Sequence, residues 1–231
     1  MRLSIIIPTL NEESCIQNNL SIFARDIKKH FREIEIIVAD GGSVDRTVEL
    51  AREFADKVCV TSAGRGKQMN AGAKISEGDY LLFLHVDSVL SVSGIEGIFN
   101  IMADNEIAGG ALKLRVDSNR MSLKIVSYFA NIRSEVFNIA YGDQGIFLKR
   151  DIFFNIGGYP DIPIMEDVAL VRRLKKAGKF VILPYYIIAS PRRWEKEGVF
   201  YTTMRNWFLI LSYMSGVSPY RLKDWYKNHG G

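Results

Sequence analysis

The chain has 231 residues, of which 48% are hydrophobic and 24% are charged, and its formal net charge is +4. This length and composition are typical of one globular domain with a substantial core. The mild basic excess suits anionic ligands such as nucleotides, whereas the lack of a dense Lys/Arg stripe in the sequence argues against a nucleic-acid partner.

The two cysteines, Cys15 and Cys59, are far apart, and neither has a Cys or His close to it in the sequence. This spacing argues against a zinc site or a disulfide framework. The sequence also lacks signal-peptide anatomy and any apolar stretch of the ~18 residues that span a bilayer. We therefore expect a cytoplasmic protein, with peripheral contact at the inner face of the membrane as the alternative.

The first part of the chain alternates between predicted strands and helices. LSIIIPTLNE reads as a strand and a polar turn, and residues 13–30 have helical spacing of apolar side chains. IEIIVADGGSVDRT, with a helix from about 46 to 55, and KVCVTSAGRGKQMNAGAKIS repeat the pattern, and GDYLLFLHVDS contributes a fourth strand. This order predicts a parallel sheet with right-handed crossovers.

Polar segments follow the four predicted strands. In sheets of this kind the ligand lies beyond the carboxyl ends of the strands, so we expect these segments to form one cleft. They are residues 8–12, 40–43, 65–67 and 85–87.

The second part of the chain is less regular. Strands are predicted in GGALKLRVD, YGDQGIFLKR and FVILP, and helices are predicted at 122–138 and from about Glu166 to Gly178. The sequence contains no internal repeat or linker. We therefore treat residues 1–231 as one domain with a regular first part (1–90), a less regular second part (91–198) and an amphipathic aromatic tail (199–231).

His85 and Asp87 follow the fourth predicted strand, and on an extended chain their spacing would place both side chains on one face. A carboxylate there suits Mg²⁺ or Mn²⁺, because an ion that bridges a diphosphate needs few protein ligands. The structural alternative is a helix cap or a hydrogen-bond acceptor.

Two further polar motifs have a functional and a structural interpretation. Glu166 and Asp167 open a predicted helix, where they would act as a general base or only complement the helix dipole. Arg192 and Arg193 would hold phosphate oxygens while Trp194 packs the loop, or the two arginines would form a basic surface pair beside a buried indole.

Two common phosphate-binding motifs do not fit. The dipeptide Gly66-Lys67 is followed by Gln68, where a Walker loop needs Ser or Thr. The first strand is not followed by G-x-G-x-x-G, which argues against an ordinary dinucleotide-binding protein.

Taken in order, IIIPTLNE, VADGGSVDRT, AGRGKQMNAG, LLFLHVDS, GDQGIF and MEDVALVRRL resemble the family-two inverting glycosyltransferases, which have the GT-A fold. The SPRRWE segment and the aromatic tail resemble a branch of small, soluble bacterial enzymes. The resemblance implies an α/β fold with a mostly parallel nucleotide-binding sheet flanked by helices and a mixed acceptor-side half. Residues 1–90 would then be the nucleotide-sugar-binding half, and residues 91–198 the acceptor and catalytic half.

The resemblance also implies roles for individual residues. Asp87 corresponds to the metal-binding acid of the family's Asp-x-Asp motif, and Asp167, beside Glu166, corresponds to the catalytic base. Asp40 would accept a hydrogen bond from the uracil ring, and Arg65 would reach the base or the diphosphate. The other residues assigned to the nucleotide-sugar pocket are Pro8, Thr9, Asn11, Glu12, Ser43, Lys67, Asn70, His85, Asp143, Gln144, Arg193 and Trp194.

His85 departs from the family pattern, because it stands where the first acid of Asp-x-Asp is expected. The substitution removes a negative charge beside the cation. We therefore expect weaker metal affinity that depends on pH near neutrality.

The predicted function is inverting transfer of a sugar from a nucleotide-sugar to a small-molecule or lipid-linked acceptor with help from Mg²⁺ or Mn²⁺. The resemblance implies a UDP-sugar donor and a transferase of the hexosyl type. The alternatives are a catalytically silent nucleotide-sugar-binding module and a nucleotidyltransferase. A nucleotidyltransferase would carry a Gly-rich, Arg-bearing loop after the first strand, which PTLNEES lacks.

The tail has an apolar helical stripe. Core packing or a homodimer contact is the first interpretation, and a helix at the membrane surface is the second. The stripe consists of Phe200, Met204, Trp207, Phe208 and Leu211.

Overall fold

The computed structural model describes residues 1–228, in which eight strands form one mixed sheet in the order β3-β2-β1-β4-β7-β6-β8-β5. The strands are β1 (Leu3–Thr9), β2 (Ile34–Asp40), β3 (Lys57–Val60), β4 (Tyr80–Phe83), β5 (Ser88–Leu90), β6 (Ile107–Val116), β7 (Ile146–Lys149) and β8 (Lys179–Ala189).

Helices cover the sheet and extend beyond its last strand. They are α1 (Glu13–His30), α2 (Thr47–Ala51), α3 (Arg65–Ile75), α4 (Val92–Met102), α5 (Met121–Phe137), α6 (Arg150–Asn155), α7 (Glu166–Ala177), α8 (Arg192–Glu197), α9 (Val199–Met214) and α10 (Pro219–Asn228). A 3₁₀ turn at Gly142–Gln144 precedes β7.

The first four strands run parallel, as their alternation with helices predicts. Ile5 of β1 pairs with Ile36 of β2 on one side and with Leu82 of β4 on the other. All seven residues of β2 are buried, which explains why its sequence is an apolar run and not an alternating pattern.

The second half makes the sheet mixed, in agreement with the predicted fold class. Strand β7 lies antiparallel between β4 and β6, whereas β6 and β8 are parallel. Strand β8 is longer than the predicted FVILP segment and continues past Pro184 to Ala189. The pairing with β6 shifts register there, from Leu112–Leu183 to Lys113–Tyr186. The irregularity accommodates a proline that has no N–H for the ladder.

The turn after β4 corrects the expectation that His85 and Asp87 share one strand face. The strand ends at Phe83, and a backbone hydrogen bond of 3.1 Å from Ser88 N to His85 O closes a turn. Strand alternation therefore does not govern the directions of these two side chains.

The tail packs against the loop that precedes α7. Met165 and Val168 form a small buried cluster with Leu209 of α9 and Leu222 of α10. Residues 229–231 of the predicted tail lie outside the described residues.

The predicted apolar stripe of α9 is not part of the core. Its five side chains are between 43% and 80% exposed, because the helix turns Thr202, Arg205 and Leu209 inward instead. The core-packing interpretation is therefore wrong for the stripe, and the homodimer and membrane interpretations stay predictions. None of the helices within residues 1–228 has both the length and the apolarity that crossing a membrane requires.

Candidate active site

A cavity of about 590 Å³ lies at the carboxyl ends of β1, β3 and β4, and we call it the sheet-end cavity. Helix α8 closes its outer side. Its lining residues are Pro8, Thr9, Leu10, Glu12, Gly64, Arg65, Gln68, His85, Val86, Asp87, Arg192, Arg193, Lys196 and Glu197. Three of the four polar segments therefore line one cavity as expected, and residues 40–43 do not line it.

Asp87 is paired with an arginine in this cavity. Arg192 Nη2 donates a hydrogen bond of 3.0 Å to Asp87 Oδ2, and the same nitrogen lies 3.7 Å from Glu12 Oε2. The three side chains are 29–49% exposed, so solvent weakens the attraction. The predicted metal-binding acid is thus held by a cation that belongs to the chain itself.

A second cavity, of about 460 Å³, lies beside the first and is largely walled by α5, α9 and the loop before α7. We call it the helix-walled cavity. Its polar lining includes Arg133, Tyr141, Asp143, Glu166, Asp167 and Trp194. Arg65, His85 and Arg193 line both cavities, so the two spaces meet at these side chains.

Asp167 is held by the main chain at the start of α7. Its Oδ2 accepts a hydrogen bond of 2.7 Å from Gly142 N, and its Oδ1 accepts one of 2.7 Å from Val168 N. Met165, two residues before Asp167, has φ +67°, a left-handed conformation that is unusual for a residue with a side chain. The packed loop therefore presents a carboxylate in a fixed position to the helix-walled cavity.

Glu166 lies deeper than Asp167, with a side chain that is 6% exposed. Burial and the neighbouring charge of Asp167 raise the pKa of Glu166, although Arg65 opposes the shift from 3.8 Å away. This ion pair joins the start of α3 to the start of α7. It links a residue shared by both cavities to the predicted catalytic pair.

His85 lines both cavities, and it shares the sheet-end cavity with Asp87. A Cβ placed on Gly142 would lie 3.3 Å from His85 Nε2 and 3.4 Å from Asp167 Oδ2, so both side chains converge on Gly142. Burial, reinforced by the charges of Arg65 and Arg193, lowers the pKa of His85 to about 3. This low pKa favours a neutral His85 between pH 6 and 8, and the expected pH dependence of metal affinity stays a prediction.

Several buried polar atoms of the helix-walled cavity have no hydrogen-bond partner within residues 1–228. Burial and the charge of Asp167 raise the pKa of Asp143, although Arg133 opposes this. The guanidinium of Arg133 lies 3.6 Å from the centre of the Tyr141 ring. The unpaired atoms are His85 Nε2, Arg133 Nε, Asp143 Oδ1 and Trp194 Nε1.

Asp40 does not line either cavity, contrary to the role expected with the uracil ring. Its carboxylate is fully buried and accepts hydrogen bonds from Thr9 Oγ1, Gly42 N, and both N and Oγ of Ser43, at 2.5–3.0 Å. Ser43 Oγ in turn accepts from Asn11 N at 2.8 Å, while Asn11 Oδ1 accepts from Val44 N at 3.0 Å. Asp40, Ser43 and Asn11 thus fix the two loops to each other and do not contribute to a pocket wall.

Three more of the predicted pocket residues have structural partners. The Gln144 amide is fully buried among Arg133, Ser134 and Leu112 O. Asn70 exchanges two hydrogen bonds with the main chain of Tyr159. Lys67 lies 3.4 Å from Asp161 in an exposed pair. Gln144, Asn70 and Lys67 lie outside both cavity linings.

The other predicted residues divide between the cavities. Trp194 lines the helix-walled cavity and not the sheet-end cavity that contains Asp87. Sequence reasoning assigned a phosphate role to Arg193 and missed the contact of Arg192 with Asp87, although both arginines stand in SPRRWE. It also missed Gln68, whose Nε2 donates to Thr9 O at 2.6 Å and to Ala39 O at 3.1 Å.

The residues of the sheet-end cavity fit a divalent cation only in one mode of binding. Among the described residues, no three His, Cys, Asp or Glu side chains form a metal cage. Three carboxylates line the cavity: Glu197 is paired with Arg205 at 2.6 Å, whereas Asp87 and Glu12 lie 3.0 Å and 3.7 Å from the same Arg192 nitrogen. Magnesium commonly binds through one or two carboxylates while phosphate oxygens and water complete its shell, and a single acid is compatible with that arrangement.

The sequence is similar to known glycosyltransferases. The sequence model described as Glycosyl transferase family 2 matches residues 4–158, which is more than half of the chain. The probable glycosyltransferase YdaM of Bacillus subtilis is 27% identical over 222 residues, covering 85% of this chain and 51% of YdaM. The poly(ribitol-phosphate) β-N-acetylglucosaminyltransferase TarS of Staphylococcus aureus is 31% identical over 99 residues, covering 39% of this chain and 17% of TarS. The chain therefore spans about half or less of these relatives.

Solved structures show a similar fold. The mannosyltransferase PcManGT from Pyrobaculum calidifontis, in complex with GDP-Man and Mn²⁺, has a TM-score of 0.66 and 18% identity over 81% of this chain and 56% of its own. Residues 1–349 of S. aureus TarS in complex with UDP-GlcNAc give 0.62 and 19% identity over 82% of this chain and 58% of that chain. At this level of identity the likeness establishes the fold.

Proposed function

Because the chain belongs to glycosyl transferase family 2, we propose that this glycosyltransferase moves a sugar from a nucleotide-sugar to an acceptor hydroxyl with inversion at the anomeric carbon. The observation that supports the proposal is the meeting of two cavities at Arg65, His85 and Arg193. One cavity contains cations suited to a diphosphate, and the other contains a fixed carboxylate suited to a general base.

The sheet-end cavity is the proposed donor site. Arg65, Arg192, Arg193 and Lys196 line it, and guanidinium groups bind phosphate oxygens with paired hydrogen bonds. A UDP-sugar is the proposed donor, supported by the TarS structure with UDP-GlcNAc. The PcManGT structure contains GDP-Man, so the test below includes both nucleotides.

The proposed metal is Mg²⁺ or Mn²⁺, in line with the Mn²⁺ in the PcManGT structure. Asp87 would hold the ion, which when bound would neutralise charge on the departing diphosphate. Arg192 must leave or share the Asp87 carboxylate for this to happen, since its Nη2 now lies 3.0 Å from Oδ2. Arg193 and Arg65 supply positive charge of the chain's own at the junction of the cavities.

Asp167 is the proposed base, and Glu166 lies beside it. The acceptor hydroxyl transfers its proton to the Asp167 carboxylate as its oxygen bonds to the anomeric carbon. The bond from that carbon to the diphosphate oxygen breaks with its electron pair on the diphosphate. Attack from the face opposite the leaving group inverts the anomeric configuration. The two main-chain hydrogen bonds to Asp167 hold the carboxylate in place for this step.

The direct test is nucleotide release from a panel of UDP- and GDP-sugars with and without Mn²⁺, followed by NMR of the anomeric configuration of the product. Release of UDP with an inverted product would support the proposal. Donor binding without release would favour the silent binding module, and release of pyrophosphate from a nucleoside triphosphate and a sugar phosphate would favour a nucleotidyltransferase.

The roles of the two acids are separable. We expect Asp167→Asn to lower kcat by ~10²–10⁴ because the base is lost, with UDP affinity unchanged. Asp87→Asn should instead weaken Mn²⁺-dependent UDP binding. Calorimetric titration with UDP and steady-state kinetics measure both effects. The matched control is Asp151→Asn, an exposed aspartate outside both cavity linings. Near-normal turnover in both site variants would refute the assignment.

A further inference from the structure

The helix-walled cavity is chemically divided. Its polar groups come from His85, Asp143, Asp167 and neighbouring side chains, whereas α5 and α9 contribute mainly apolar ones. The apolar part of the lining comprises Leu114, Ile125, Val126, Phe129, Ala130, Pro163, Ile164, Trp207, Leu209 and Ile210. A space of about 460 Å³ is within the ~300–1,000 Å³ usual for small-molecule sites.

Helix α5 leads from the polar groups into the apolar part. Arg133 lines the cavity beside Tyr141, and Phe129 and Ile125 stand four and eight residues earlier on the same helix. At 1.5 Å per residue they lie ~6 Å and ~12 Å further along the axis. The lining therefore changes from charged to apolar over a distance that a chain of several methylene groups would span.

The apolar part is also open to solvent. Ile125 is 49% exposed, Phe129 is 55% exposed, and Trp207, on the facing helix α9, is 43% exposed. Large apolar side chains that line a recess and contact water favour an apolar ligand, because its binding removes their surface from solvent.

The polar groups of the cavity lack partners that a ligand's head could supply. His85 Nε2, Asp143 Oδ1, Trp194 Nε1 and Arg133 Nε are buried without a hydrogen bond within the described part of the chain. Such atoms are costly unless a ligand or water satisfies them. They offer both donors and an acceptor, which suits a head that carries hydroxyl groups.

We propose that the acceptor is an amphiphile whose hydroxyl-bearing head meets Asp167 and whose single apolar chain lies between α5 and α9. This inference rests on the proposed function, since it assigns the acceptor of that reaction. A second protein surface is a poorer occupant, because it would cover the exposed side chains without filling the recess that reaches Asp167.

The test uses methyl, hexyl and octyl β-glucosides as probes, below their micelle concentrations and with UDP present. Calorimetry should show affinity that rises about fourfold for each added methylene that enters the cavity. Ala130→Trp, which places an indole in the cavity, should weaken octyl glucoside binding at least tenfold. Val126→Trp serves the same purpose from the neighbouring position if the first variant does not fold.

The matched control is Phe200→Ser, because Phe200 is 80% exposed and outside the cavity lining. It should bind octyl glucoside as the parent does. Equal affinity for the methyl and octyl probes, unchanged octyl binding in both tryptophan variants, or equal loss in Phe200→Ser would overturn the inference. UDP binding in the same samples separates the two proposals: its absence counts against the donor site, whereas UDP binding without chain-length dependence counts against the acceptor alone.

Discussion

At the scale of single residues, Arg192 forms an ion pair with the Asp87 carboxylate, the predicted metal ligand. Its Nη2 lies 3.0 Å from Asp87 Oδ2 and 3.7 Å from Glu12 Oε2, in a cavity that also contains Arg65 and Arg193. A divalent ion and this guanidinium would compete for the same carboxylate. The contact therefore opposes metal binding before a diphosphate provides the other ligands.

Removing that competitor should strengthen metal binding. We expect Arg192→Ala to raise the affinity for Mn²⁺ alone by about two- to fivefold, because a partly exposed ion pair is worth up to ~1 kcal/mol. Titration with Mn²⁺ followed by electron paramagnetic resonance measures this without turnover. Arg221→Ala, on the exposed side of α10, is the control. Unchanged or weaker Mn²⁺ binding in Arg192→Ala would contradict the competition.

At the scale of the elements, a buried glutamate joins the amino-terminal ends of the strands, opposite the end of the sheet where the cavities lie. Glu35, at the start of β2, accepts hydrogen bonds from Ser4 Oγ at 2.5 Å, Glu77 N at 2.5 Å and Gly78 N at 3.1 Å, and lies 3.1 Å from Lys57 Nζ. Burial favours its protonated form, but the Ser4, Glu77 and Lys57 contacts outweigh burial and lower the pKa of Glu35. One carboxylate thereby ties β1, β2, β3 and the turn before β4.

This pKa shift predicts acid sensitivity. Because the pKa of Glu35 is lower in the folded than in the unfolded chain, its stabilisation is present above pH ~4.3 and is lost as pH falls through the folded value. Glu35→Gln should lower the free energy of unfolding at pH 7 by about 1.5–3 kcal/mol, and less at acid pH. Urea unfolding at several pH values measures the difference.

The matched control for that experiment is Glu33→Gln, because the Glu33 side chain is 71% exposed. It should leave the free energy of unfolding nearly unchanged. An equal loss of stability in both variants, or a loss in Glu35→Gln that does not shrink in acid, would show that the buried carboxylate is not the origin of the effect.

The elements that were predicted and those that were missed differ in the origin of their stability. Helix α1 was predicted with its observed bounds, because its apolar spacing is a local pattern. Helix α4 was not, because Gly94 and Gly97 weaken the helical signal. Both glycines serve close packing: a Cβ would lie 2.5 Å from Leu90 at Gly94 and 2.2 Å from Tyr185 at Gly97. That requirement comes from neighbours that the helix's own sequence does not reveal.

At the scale of the whole molecule, the tail supports the predicted catalytic loop. Leu222 of α10 is fully buried against a cluster that includes Met165 and Val168, on either side of Glu166 and Asp167. The left-handed Met165 is thus held partly by helices that follow the sheet in the sequence. Loss of this packing should therefore disturb the position of Asp167 more than it disturbs the sheet-end cavity.

Leu222→Ala should lower the free energy of unfolding by about 2–5 kcal/mol through a core cavity, and it should reduce kcat more than UDP affinity. Chemical unfolding, kinetics and UDP titration together test this. Leu211→Ala is the same change at a side chain that is 59% exposed on α9, and it should leave stability nearly unchanged. Similar losses in both variants would mean that the tail does not act through the Met165 cluster.

The sequence by itself determined the alternation of strands and helices and the location of Glu166 and Asp167 at a helix start. It also determined that the polar segments after β1, β3 and β4 line one cavity. These features depend on local periodicity and chain order, which a single sequence contains. Tertiary structure alone decided that Asp40 is bonded within its own loops, that Arg192 reaches Asp87 across 105 positions and that α5 and α9 enclose an apolar cavity. Each of these outcomes depends on which polar groups and helix faces meet after folding, and contacts between distant segments leave no periodic signal in the chain.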